Sequence, residues 1–97
     1  MHGLQSESVN RLMEVIARLD TKEACQSFFE DICTVKELLD MAQRLDVAIL
    51  LRNGENYQSI SQKVNVSTAT ISRVSKCLNY GSGGYAGALD KLTEGIL

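Results

Sequence analysis

Residues 56–79 read NYQSISQKVNVSTATISRVSKCLN, and the order of small, turn-forming and branched apolar residues in this stretch decides the fold. It predicts two short helices separated by three residues, the spacing of a helix-turn-helix. Ser61 is small where two such helices cross closest. Four residues on, Asn65 stands at the turn position that needs positive φ, which asparagine tolerates better than most residues. Six residues further comes Ile71. Ile60, Val64, Val66, Ile71 and Val74 form the inward set, and Ser67 caps the second helix.

With Ile71, Val74 and Leu78 turned inward, the other side of the second helix presents Thr68, Ala69, Ser72, Arg73 and Lys76 to solvent. Hydroxyls and methyls suit base edges in a major groove, and Lys or Arg suits phosphate or guanine. Charge points the same way. The chain as a whole carries -2, but residues 56–80 hold Lys63, Arg73 and Lys76 with no Asp or Glu, a net +3. Residues 1–55 are net -4 and residues 81–97 net -1. The one stretch free of acids is therefore the one expected to face a polyanion. The candidate DNA contacts are Gln58, Ser61, Lys63, Ser67, Thr68, Ala69, Ser72, Arg73 and Lys76. The competing class is a helical protein-interaction module without DNA binding. It requires exposed apolar residues on the second helix, where this chain has hydroxyls and bases.

Outward from the motif, the pattern is helical throughout, and the expected fold class is all-α. Leu4 to Leu19 repeats apolar residues at Val9, Leu12, Met13, Ile16 and Leu19. Thr21 caps a second helix, Lys22 to about Ile32, with Ala24, Cys25, Phe28, Phe29 and Ile32 as its apolar set. Thr34-Val35-Lys36-Glu37 is a capping box that starts a third helix running to Arg52, where Gly54 ends it. That helix is apolar on more than one face, as expected if a second subunit covers part of it and equally of a central helix within one subunit. Beyond Ser82-Gly83-Gly84, residues Tyr85 to Leu97 form a last amphipathic segment with Ala86, Leu89, Leu92 and Ile96 on one face.

The inventory excludes several functions. The sole histidine is His2, and there is no C-x-x-C pair, so no metal site is expected. No G-x-S-x-G, Walker-type or dinucleotide fingerprint occurs, so neither an enzyme nor a cofactor is expected. Cys25, Cys33 and Cys77 are odd in number inside helical patterns, which predicts reduced, buried thiols rather than a disulfide framework. No apolar run approaches a membrane span, and Met1 to Asn10 has no signal-peptide core, so the reading is cytoplasmic with no membrane partner.

The stretch from Thr34 to Asn79 resembles the Trp-repressor superfamily. Phe28-Phe29-Glu30-Asp31, Ala42-Gln43-Arg44-Leu45, Thr68-Ala69-Thr70-Ile71-Ser72-Arg73 and Cys77-Leu78-Asn79-Tyr80-Gly81 resemble its YerC/YecD-type branch. The resemblance implies about six helices and an intertwined homodimer. It implies one domain over residues 1–97, in which 1–55 and 85–97 make the dimerisation core and 56–79 the helix-turn-helix. It also implies a repressor that binds double-stranded DNA at a palindromic operator. In the repressor that names the superfamily, a tryptophan corepressor lies between two arginines flanked by threonines. Arg44, Arg73, Thr34 and Thr70 match those positions. Val74 stands where that repressor has glycine beside the ligand, and Cys77 where it has serine. The candidate effector pocket is thus Thr34, Arg44, Thr70, Arg73, Val74 and Cys77, with an unknown small-molecule effector and with Val74 arguing against tryptophan. The alternative for the arginines is an ordinary helix surface, Arg44 paired with a carboxylate such as Asp40 and Arg73 on phosphate.

Overall fold

The computed structural model describes residues 6–95 and contains, among them, six α-helices and no strand. They are α1 (Glu7–Ala17), α2 (Lys22–Ile32), α3 (Val35–Arg52), α4 (Tyr57–Val64), α5 (Thr68–Tyr80) and α6 (Gly84–Gly95). Side-chain oxygens fix five of the starts by accepting from first-turn amides that have no partner inside the helix. Ser6 accepts from the Val9 amide at 3.1 Å, Thr21 from Ala24 at 3.0 Å, Asn56 from Ser59 at 2.8 Å and Ser67 from Thr70 at 3.2 Å. At α3 the expected capping box is complete. The Glu37 amide donates to Thr34 Oγ1 at 3.1 Å, and the Thr34 amide donates to Glu37 Oε1 at 2.8 Å.

Two boundaries differ from the sequence reading. The first helix starts at Glu7 rather than Leu4, because Ser6 takes the extended backbone a cap requires, and it stops at Ala17 rather than running to Leu19. Leu4, Ile96 and Leu97 lie outside the described residues. The third helix closes as expected on Gly54, whose φ of 84° no β-carbon favours. The Gly54 amide donates to the Leu51 carbonyl at 3.0 Å and the Glu55 amide to the Leu50 carbonyl at 3.1 Å, the paired bonds of a Schellman motif.

The chain forms two compact units that divide between Leu38 and Leu39. In the first, α1 and α2 bury no residue completely. The Phe28 and Phe29 rings pack edge to face with centroids 5.6 Å apart, while Met13 and Ile32 stay about half exposed. The second unit holds the core: Val47 and Ala48 of α3, Ile60 of α4, Ile71 and Val74 of α5, and Leu89 of α6. Leu50, Leu51, Val64, Val66, Leu78 and Tyr85 pack around it. Fully burying a side chain such as Val or Ile contributes about 1.5–3 kcal/mol, so these few residues carry most of what holds α4 and α5 in place.

Arg52, the last residue of α3, donates to the Ala86 carbonyl at 3.2 Å and pairs with Asp90, which secures α6 against the end of α3. Ala86 itself is exposed rather than on the apolar face, where Tyr85, Leu89 and Leu92 lie instead. The cysteine reading also needs correcting, since none of the three thiols is buried. Cys25 and Cys33 are half-buried and Cys77 is exposed; all three are free. Cys77 falls six residues past Ile71, about 120° round the helix from it, which turns it off the buried stripe of α5.

Candidate nucleic-acid interface

The α4–α5 hairpin is held at its turn by three linked interactions. Asn65 adopts φ 58° and ψ 53°, the left-handed conformation expected of it, and its amide donates to the Ser61 carbonyl at 3.1 Å. The Ser61 hydroxyl donates to the Val66 carbonyl at 3.0 Å. Ser67 then caps α5, accepting from the Thr70 amide and sharing a 3.2 Å hydrogen bond with the Thr70 hydroxyl. Ile60, Ile71 and Val74 are buried beneath, at 0%, 0% and 2% exposure. This anchors the inner face of the hairpin and leaves its outer face rigidly presented.

On that outer face, Gln58, Lys63, Ser67, Thr68, Ala69, Ser72, Arg73 and Lys76 are all exposed. Thr68, Ser72 and Lys76 recur every four residues, as do Ala69 and Arg73, so they share one side of α5. No acidic residue stands in its first turn, and the amides there favour an anion. Besides Ser67, whose hydroxyl is committed to Thr70, two further expected contacts are already engaged within the chain. Ser61 is half-buried with its hydroxyl committed to Val66. Lys63 donates to Glu55 Oε1 at 2.6 Å. Glu55 is a participant the sequence reading missed. Its position one residue before the acid-free stretch, at spacings of four and eight from Ser59 and Lys63, was the available signal.

The six candidate effector residues are dispersed in role. Thr34 belongs to the first unit and is engaged in its capping box with Glu37, whereas the other five belong to the second. Arg44 and Thr70 are half-buried and Arg73 is exposed. Val74 is a core residue, 2% exposed. Cys77 alone of the six lines an open groove of about 450 Å³, together with Leu45, Gly81, Ser82, Gly84, Tyr85 and Ala88. Among the described residues, no group of His, Cys, Asp and Glu could hold a metal ion. Nor is any helix among them long and apolar enough to cross a membrane.

A hairpin with a left-handed asparagine at its turn, a buried inner face and an acid-free outer face defines a helix-turn-helix protein. The family described as Trp repressor protein matches residues 7–93, and the chain belongs to it, a family of DNA-binding regulators. The chain is 45% identical over 91 residues to the uncharacterized protein YerC of Bacillus subtilis, covering 94% of this chain and 88% of YerC. A crystal structure of a TrpR like protein from Eubacterium eligens superposes with a TM-score of 0.90 at 40% identity, covering 100% of this chain and 98% of that one. A solved structure from Staphylococcus aureus gives 0.89 at 38% identity, with 96% and 95% covered.

Proposed function

We propose that this protein is a sequence-specific transcriptional regulator, a repressor, that binds a palindromic operator as a two-fold dimer in the cytoplasm. The observation that carries the reading is the outer face of α5. Thr68, Ala69, Ser72, Arg73 and Lys76 stand exposed opposite the buried Ile71 and Val74, without an acid among them. Thr68, Ala69 and Ser72 read base edges, while Arg73 and Lys76 neutralise phosphate or reach guanine. Ser67 and Gln58 border the same surface.

What one chain leaves uncovered supports the dimer. An amphipathic helix has to bury its apolar stripe against something. Here α1 and α2 bury nothing completely, and Val35 and Leu39 of α3 are 78% and 58% exposed. A second copy packed on residues 1–55 and 85–97 would cover them within a single domain, leaving residues 56–79 to DNA. The two α5 helices then enter successive major grooves, about 34 Å apart. No tryptophan corepressor is part of this reading; the buried Val74, where the related repressor has glycine, supports leaving it out.

Enrichment of bound sites from genomic DNA tests the reading directly. It is expected to return a palindrome with half-sites one turn apart, bound by a species that sediments as a dimer. A folded monomer at micromolar concentration, or no enriched site, would overturn it.

A further inference from the structure

Residues 56–80 carry three cations and no acid, yet one of those cations is cancelled from outside the stretch. Glu55 follows Gly54, and the Schellman bond from its amide to the Leu50 carbonyl fixes its backbone at the α3–α4 junction. From there its Oε1 accepts from the Ser59 hydroxyl at 2.8 Å and from the Lys63 ammonium at 2.6 Å. Residues 55, 59 and 63, four apart, line one flank of α4, with the carboxylate reaching from before the helix cap to its last turn. The Glu55 side chain is 24% exposed and that of Lys63 56%.

An ion pair this exposed contributes little to stability, because water and salt screen it. Its consequence is electrostatic at longer range. A lysine neutralised by a carboxylate does not release a counterion from DNA, so it adds nothing to the sequence-independent attraction that all DNA shares. We infer that Glu55 limits how many phosphates the DNA-binding hairpin neutralises. By holding Lys63 in a neutral pair it confines phosphate neutralisation to Arg73 and Lys76, on the face that reads sequence. The sequence-independent part of the affinity is thereby lowered, on operator and random DNA alike. The inference rests on the DNA-binding reading above.

The test is the slope of log affinity against log salt, on random-sequence duplex and on the enriched operator, for the unaltered protein, Glu55→Gln and Glu55→Gln with Lys63→Met. Glutamine keeps the oxygen that accepts from Ser59 and removes the charge. The expected result is a slope steeper by about 0.9 per subunit in Glu55→Gln, on both duplexes. Adding Lys63→Met returns the slope to that of the unaltered protein. Normal operator binding with an unchanged slope in Glu55→Gln overturns the inference and leaves the DNA-binding reading intact. A steeper slope that survives Lys63→Met also overturns it, because the released charge would not be that of Lys63. No binding of either duplex by any of the three proteins overturns both together.

Discussion

Ser61 and Val66 are joined across the hairpin turn by a hydroxyl-to-carbonyl hydrogen bond of 3.0 Å, and the Ser61 carbonyl accepts from Asn65 at 3.1 Å. One small residue therefore closes the turn with both its side chain and its backbone. Ser61→Ala keeps the backbone bond and leaves the Val66 carbonyl without its donor, at a cost of about 1–2 kcal/mol. Urea denaturation followed by circular dichroism measures it. Because the hydroxyl is committed internally, the same variant is expected to lose less DNA affinity than Lys76→Ala. A larger loss at unchanged stability would make Ser61 a direct contact.

Arg73 and Lys76 are the exposed cations of α5, and each is expected to neutralise one phosphate per subunit. Replacing either with alanine should reduce the salt slope by about 0.9 per subunit and weaken binding to operator and random DNA alike. If Arg73 reaches a guanine instead, its loss costs about 1–3 kcal/mol at one base position and relaxes preference there. Fluorescence anisotropy over a salt series separates the two behaviours. Alanine variants at both positions that keep affinity and slope would place the DNA surface elsewhere.

Val74 lies in the core with Val47, Ile60, Ile71 and Leu89. Val74→Gly removes three carbons there and adds glycine's helix penalty, for roughly 3–5 kcal/mol in all. Against a typical stability of about 5–15 kcal/mol, this variant is expected to melt far below the unaltered protein rather than gain a ligand site. Calorimetric titration of the unaltered protein with tryptophan is expected to give no heat of binding. Micromolar binding coupled to tighter DNA binding would reverse the conclusion drawn from Val74.

Two carboxylates that solvent reaches tie stability to pH, by a small amount because solvent screens them. The Thr34 amide, and after it the Thr34 hydroxyl, hold the Glu37 carboxyl below its ordinary range. Lys63, then Ser59, do the same for Glu55. A group with a lowered pKa in the folded state contributes stability that is present above its unfolded value, about 4.3, and is lost as pH falls through the folded value. The urea midpoint is therefore expected to hold steady from pH 7 to about 5 and to decline below that. Glu37→Gln should flatten the acid limb, and an unaltered acid limb in that variant would remove the capping box from its cause.

The parts of this fold that were legible in the sequence are those a few adjacent residues decide. Thr21, Thr34 with Glu37, and Ser67 are caps whose partners lie three residues away, and Asn65 and Gly54 answer a local demand for positive φ. Ser6 was equally local, and applying the same cap rule to it would have moved the first helix start from Leu4 to Glu7. What escaped depends on reach through space. The Glu55–Lys63 pair crosses a helix start, and Arg52 meets Asp90 from 38 residues away. Ala86 fits the apolar period as well as Leu89 does, and only tertiary packing leaves one exposed and buries the other. For the candidate interface, a helical period was enough to name an outer face. It could not tell which of that face's polar groups were already occupied.

The hairpin's inner face is roofed by Leu89. In chain order, Ile60, Ile71 and Val74 emerge first, and their last partner follows them by at least fifteen residues. During synthesis, therefore, α5 can form its turns early but cannot settle until α6 has left the ribosome and the Arg52–Asp90 clasp can close. A nascent chain stopped short of Leu89 carries every side chain proposed to touch DNA and still lacks a core residue that packs beneath them.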